Sequence, residues 1–352
     1  MVVFFLPALA TVLWLLSSLF FLLNYWKRID WGKKKVLIPL FVVVCSMGLT
    51  GILTGETLGA RLAPLFIGVS LLAVYGVARY VGSEIFRMLI PMVIIGTLIT
   101  VVIGTLNPGE PTGGMITNYC AAAGFLVFGA IVNQGRWQWL LICIACVGLF
   151  FTGALEAAFI AGVIGLAIIV RRDMNKYFVI VCLALAIIAV LWASLGFLVP
   201  LYTGFGNVDT LLGVLSGRIP LTEDAMRIMT TGRWEVYGNA IRDLSIFGHG
   251  YSLSTVAGHI VHNIPLIIAH QIGPLAAVAW AFVTVYCFIK TKWKYAWIAV
   301  MAMCVFDHYI WTQLTPYWWA LVGVSTASTI KSDLIFKKGD KDSEIQEETS
   351  SS

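Results

Sequence analysis

Charge is what this chain has least of. Only 12% of its 352 residues are Asp, Glu, Lys or Arg, while 59% are hydrophobic. With a mean hydropathy of +0.90, that balance excludes an ordinary soluble domain. Alternation of polar and apolar residues is also missing. The apolar runs are continuous, so a transmembrane barrel is excluded and the spans read as helices. Cysteine is absent from the long polar segment at about 202–261, and the seven cysteines lie mostly inside apolar runs. No disulfide framework and no zinc site follow from that distribution. Cys143 and Cys146 have CxxC spacing, but inside a hydrophobic run, where packing is the simpler role. The chain opens without a cationic stretch or a small-residue cleavage site, so 2–23 reads as a span and not as a removed signal. No internal repeat is visible, which weighs against an inverted-repeat transporter.

What is present fits an all-α polytopic membrane protein. A crossing needs about 20 mainly apolar residues. Eleven segments qualify, near 2–24, 36–55, 62–80, 86–106, 117–133, 137–154, 156–171, 177–200, 263–289, 295–310 and 317–331. Basic residues orient them. Lys27, Arg28 and Lys33–Lys35, then Arg79 and Arg87, Arg136, Arg171 with Arg172 and Lys176, and Lys290 with Lys292 and Lys294 all fall on one side with this count. That side is the cytoplasm, which leaves the N-terminus and the 202–261 loop outside. The expected organisation is eight spans over 1–201, the external loop over 202–261, three spans over 262–331, and a disordered cytoplasmic tail over 332–352.

The loop gathers the chemistry. It carries Arg218, Arg227, Arg233 and Arg242 against Asp209, Glu223, Asp224, Glu235 and Asp243, so it is near neutral. Thr222-Glu223-Asp224 signals a helix start. A second helix is expected from about Thr231, with Val236, Tyr237, Ala240 and Ile241 at helical spacing and Arg233 sharing a face with Tyr237. Lying along the membrane surface, such a helix would bring a guanidinium to phosphate level, where its planar fork suits bidentate contact. Snorkelling or local pairs, such as Arg233 with Glu235 or Arg242 with Asp243, are the plainer reading. All five histidines lie in the last third. His249 stands between glycines in Phe247-Gly248-His249-Gly250, His259 follows, and His262-Asn263 opens the next span. An imidazole can accept a proton from a hydroxyl at neutral pH; at an interface it is often only a polar cap. His270 and Asp307 lie in or beside apolar runs, where ionisable groups mark functional sites or pair with each other.

In order, Gly232-Arg233, a helix, Phe247-Gly248-His249-Gly250, His262-Asn263-Ile264-Pro265-Leu266 and Ile272-Gly273-Pro274-Leu275 resemble the O-antigen ligase and O-antigen polymerase superfamily. Its members show an arginine-led helix, a Gly-His-Gly turn, an HNxxL element and a GxxG-like element entering a span. The likeness covers about 228–285. It implies a bacterial inner-membrane transferase that moves a glycan from an undecaprenyl-diphosphate carrier to a hydroxyl of lipid A-core, glycan or protein, with no nucleic-acid partner. By resemblance, His262 activates the acceptor and Arg233 binds the diphosphate. Arg227, Arg218, His249, Asn263 and Tyr237 are the expected substrate-binding residues. Many members also carry T-x-S-R-x-A at a span start; here Thr152-Gly153-Ala154-Leu155-Glu156-Ala157 has leucine in place of the arginine. With no carboxylate-rich cluster in the loop, neither metal nor cofactor is expected. Two rival readings remain: a transporter or flippase using Glu156, His270 and Asp307, and a non-catalytic, divergent member of the superfamily.

Overall fold

The computed structural model describes residues 16–17, 19–107, 112–113, 119–135, 137–153, 210, 213–214, 216–229, 233–251, 255–256, 259–261, 263–306 and 309–327. Among these the protein is helical apart from one two-residue ladder. The helices are α1 (Lys34–Thr54), α2 (Leu58–Val81), α3 (Leu89–Leu106), α4 (Tyr119–Val132), α5 (Gln138–Thr152), α6 (Glu223–Met229), α7 (Arg233–Arg242), α8 (Ile264–Ile272), α9 (Pro274–Lys290), α10 (Lys294–Phe306) and α11 (Thr315–Thr326). The ladder joins β1 (Thr255–Val256) to β2 (His259–Ile260), antiparallel, with Val256 opposite His259.

The segments at 36–55, 62–80, 86–106, 117–133, 137–154, 295–310 and 317–331 each correspond to a helix. Those at 156–171 and 177–200, and most of 2–24, lie outside the described residues. Among the described residues, three helices are long and apolar enough to cross a membrane: Lys34–Thr54, Leu58–Phe86 (α2 with a following 3-10 turn) and Leu89–Leu106. Apolar side chains also cover much of the outer surface: Ile38, Phe41 and Ile52 on α1, Leu98 and Val102 on α3, and Leu275, Val278 and Val285 on α9 are all exposed. So broad an apolar exterior marks a surface that meets something other than water.

One expectation needs correcting. The apolar stretch 263–289 is not one helix. It breaks at Gly273 into α8 and α9. Pro274 removes an N–H that a continuous helix would need. Gly273 takes φ +97°, and a Cβ there would overlap the Ile246 carbonyl. The break is where the loop segment at 245–250 comes into contact.

Aliphatic side chains fill most of the interior, and tryptophans are its largest fully buried residues. Trp297, Trp311, Trp318 and Trp319 are all fully buried. Trp318 stacks on Trp280 with ring centroids 5.2 Å apart, and donates its indole N–H to Thr284 Oγ1 at 3.1 Å. Helix α11 lies against α2, where a Cβ on Gly323 would be 2.5 Å from the Tyr75 carbonyl oxygen and 2.7 Å from the Ala78 Cβ. Small residues at such crossings let apolar helices approach closely where lipid offers no hydrophobic drive. One end of this crossing is fixed by Arg79. Its buried guanidinium donates to the Asp30 carbonyl at 2.6 Å, to the Asp30 carboxylate at 3.0 Å and to the Thr326 carbonyl.

Candidate functional site

The loop elements start where their residue types dictate. Thr222 Oγ1 accepts from the Ala225 N–H at 3.2 Å and caps α6, whose first turn holds Glu223 and Asp224. Acidic residues at that end and Arg227 in the last turn match the helix dipole. Helix α7 begins at Arg233 and buries Val236 and Ala240, one turn apart, while Arg242 and Glu235 stay exposed. Helix α8 begins after Asn263, whose Oδ1 accepts from the Leu266 N–H at 3.1 Å, with Pro265 in the first turn. α7 and α8 are in contact.

The Gly-His-Gly turn docks on the end of α8. A helix leaves its last carbonyls without partners inside the helix. Here the His249 N–H donates to the His270 carbonyl at 2.9 Å and the Gly250 N–H to the Gln271 carbonyl at 3.1 Å. Gly248 has φ +76°; a Cβ would overlap the Gln271 carbonyl and stand 2.6 Å from the Ile272 nitrogen. Thr50 Oγ1 donates to the Phe247 carbonyl at 2.5 Å, which fastens the turn to α1 as well. Gln271 accepts the Trp311 indole N–H at 2.7 Å. The Tyr251 ring meets Trp311 edge-on, and burial pushes its phenol up to about 12, so it remains a donor at neutral pH.

This docking brings three titratable side chains together. His249 and His270 have ring centroids 4.5 Å apart. His270 Nε2 lies 3.3 Å from Asp243 Oδ2, and His249 Nε2 lies 3.7 Å from the same oxygen and also meets the Asp243 carbonyl. One ligating atom from each of the three residues falls within 4.8 Å of the others. Exposure is graded: the His270 side chain is 6% exposed, that of His249 39% and that of Asp243 64%. Among the described residues, the buried His270 Nδ1 has no hydrogen-bond partner.

The expected site residues are distributed as follows. Arg218 is exposed in a turn, its Nε donating to Ser216 Oγ at 3.0 Å. Arg227 is exposed and 3.8 Å from Asp224. Tyr237 is half-buried on α7 against the core. Asn263 is the cap of α8. His249 is held by the turn and faces Asp243, the residue expected to pair with Arg242. Arg233 opens α7, but its side chain lies outside the described residues, as does His262 as a whole, so their approach to each other does too. Glu156 and Asp307, the other members of the transport reading, are likewise outside them. His270 pairs with Asp243 of the loop. Sequence reasoning noted His270 as an ionisable group in an apolar run and as a member of a transport path with Glu156 and Asp307, and Asp243 only as a salt-bridge partner. Their 27-residue separation carries no pattern. No protein-family model, curated protein or solved structure matches the chain.

Proposed function

We propose that the protein is a multi-pass membrane transferase that moves a lipid-diphosphate-linked glycan to a hydroxyl acceptor on the outer face of a bacterial inner membrane. The reading rests on the resemblance at 228–285, and the observation that carries it is the docking of the Gly-His-Gly turn onto the helix that follows His262-Asn263. Motif elements far apart in the chain thus belong to one packed body. Helices α7 and α8 have ten and nine residues, roughly 15 and 14 Å at 1.5 Å per residue. Asp243, just past the end of α7, meets His270 in the last turn of α8. Helices lying side by side from that joint would carry Arg233 and His262 together at their opposite ends.

The eleven-span topology is part of the same proposal, and contacts between distant residues support it. Thr50, near the outer end of α1, holds the external loop at Phe247. Trp311, in an external link, reaches Gln271 at the loop's docking point. Arg79 and Thr326, both assigned to the cytoplasmic side, bond to each other.

In this mechanism the acceptor hydroxyl loses its proton to His262 as its oxygen attacks the anomeric carbon. The bond to the lipid diphosphate breaks, and the Arg233 guanidinium stabilises the charge that develops there. The test is transfer from a lipid-linked glycan in proteoliposomes. His262→Ala should lower the rate by about 10²–10⁴-fold, the usual contribution of a general base, at an unchanged membrane level. Arg233→Lys should also be impaired, because lysine lacks the bidentate fork, whereas His259→Ala should have a milder effect. Full transfer by His262→Ala would overturn the assignment.

A further inference from the structure

We infer that Asp243, His249 and His270 form a binding site for one divalent transition-metal ion of the zinc class. The inference does not rest on the transferase reading, which assigns the reaction step to His262 and Arg233, although that reading also expects His249 to bind substrate.

Protein contacts serve this cluster only in part: His249 Nε2 meets the Asp243 carbonyl, while the Asp243 carboxylate is left at a distance from both imidazoles. The 3.7 Å between His249 Nε2 and Asp243 Oδ2 is beyond hydrogen-bonding range, and the 3.3 Å from His270 Nε2 is long for such a bond. Among the described residues the buried His270 Nδ1 has no hydrogen-bond partner, but it is Nε2, across the ring, that faces Asp243 and would hold the ion. The same spacings suit a metal. Zinc holds imidazole nitrogen and carboxylate oxygen at about 2.0–2.2 Å, so neighbouring ligand atoms of a tetrahedron stand about 3.3–3.5 Å apart. The His270–Asp243 distance of 3.3 Å already matches that edge. The widest separation in the set is within 4.8 Å, so closing on an ion asks for about 1.5 Å at most. His249 and Asp243 are the exposed members and are free to supply that movement.

The donor set specifies the ion. Two imidazoles and one carboxylate suit zinc and its neighbours better than calcium or magnesium, which take all-oxygen sites. Three protein ligands leave a fourth position, and the exposure of Asp243 and His249 leaves a path to it from outside. The consequence is mechanical too. Asp243 follows α7, His249 lies on the docked turn and His270 lies on α8, so one ion would fasten three elements that already share two backbone hydrogen bonds, the His249 contact with the Asp243 carbonyl and a weak ion pair.

The test uses the full-length protein in detergent, stripped with a chelator and then titrated with Zn²⁺ and, as a spectroscopic probe, Co²⁺. The expected result is one ion per chain, a tetrahedral Co²⁺ absorption band, and a rise in thermal midpoint with Zn²⁺ but not with Mg²⁺. His249→Ala and Asp243→Asn should each weaken binding by about 100-fold or more, at least what loss of a supporting partner costs a metal site. Asp243→Asn changes an exposed side chain of the same shape, so it separates lost binding from lost folding. His259→Ala, outside the cluster, should bind as the parent does. Stoichiometric binding that survives Asp243→Asn and His249→Ala, or the absence of Zn²⁺-specific binding in the parent protein, would overturn the inference and leave the cluster as a metal-free His–Asp–His contact.

Discussion

Replacing Gly248 with alanine should release the Gly-His-Gly turn from α8 while leaving the helical bundle intact. The new Cβ would overlap the Gln271 carbonyl and stand 2.6 Å from the Ile272 nitrogen, all of it backbone at a helix end that cannot swing aside. The residue would also have to hold φ +76°, which costs an L-residue about 1–2 kcal/mol. Relief of the clash requires the turn to move off, which breaks the bonds from His249 N–H to His270 O and from Gly250 N–H to Gln271 O, each worth about 1 kcal/mol net. The bonds are lost on opening in the parent as well, so the change comes from the strain plus about 1–3 kcal/mol for the overpacked Cβ, and the docked state is destabilised by about 3 kcal/mol, or roughly 100-fold in the opening equilibrium. Hydrogen–deuterium exchange reads this directly: the His249 and Gly250 amides should exchange about 100-fold faster, with the amides of α1 and α2 unchanged. Gly82→Ala is the control. Gly82 also has a positive φ, +71°, but nothing lies within 4 Å of its Cβ position, so only local strain is expected and no change at His249. Unchanged protection of His249 and Gly250 in the Gly248→Ala protein would refute the docking argument.

Gly323→Ala should push α11 off α2, because its Cβ would meet the Tyr75 carbonyl and Ala78; a loss of about 1–3 kcal/mol, seen as a lower thermal midpoint in detergent, is expected for such overpacking. Arg79→Ala should cost about 3 kcal/mol in the same assay, the low end for a broken buried pair because Asp30 is largely exposed. Reporter fusions at Lys34, Arg172 and Lys292 should read as cytoplasmic and a fusion near Asn239 as external; Asn239 and Arg172 reporting the same side would refute the span count.

By itself, the sequence determined the helices and their company. Long apolar runs need internal hydrogen bonding in lipid, so among the described residues hydropathy and helix coincide in segments such as Lys34–Thr54, Leu89–Leu106 and Thr315–Thr326. The Thr222 cap was legible for the same local reason, whereas Asn263, expected as a substrate-binding residue, turns out to cap α8; each accepts a hydrogen bond from an N–H three residues on. The break at Gly273 was written there as Gly-Pro, yet it was read as part of one span because hydropathy is blind to backbone geometry. What only the tertiary structure decided is the meeting of Asp243, His249 and His270. His270 looks like a lone imidazole in an apolar run until the turn at 245–250 supplies donors to the free carbonyls at the end of α8. That pairing depends on groups some twenty residues apart, and on Gly248 and Gly273 both allowing backbone to touch backbone. Periodicity and composition record which face of a helix is apolar; they carry no information about which distant carbonyl a given amide will find.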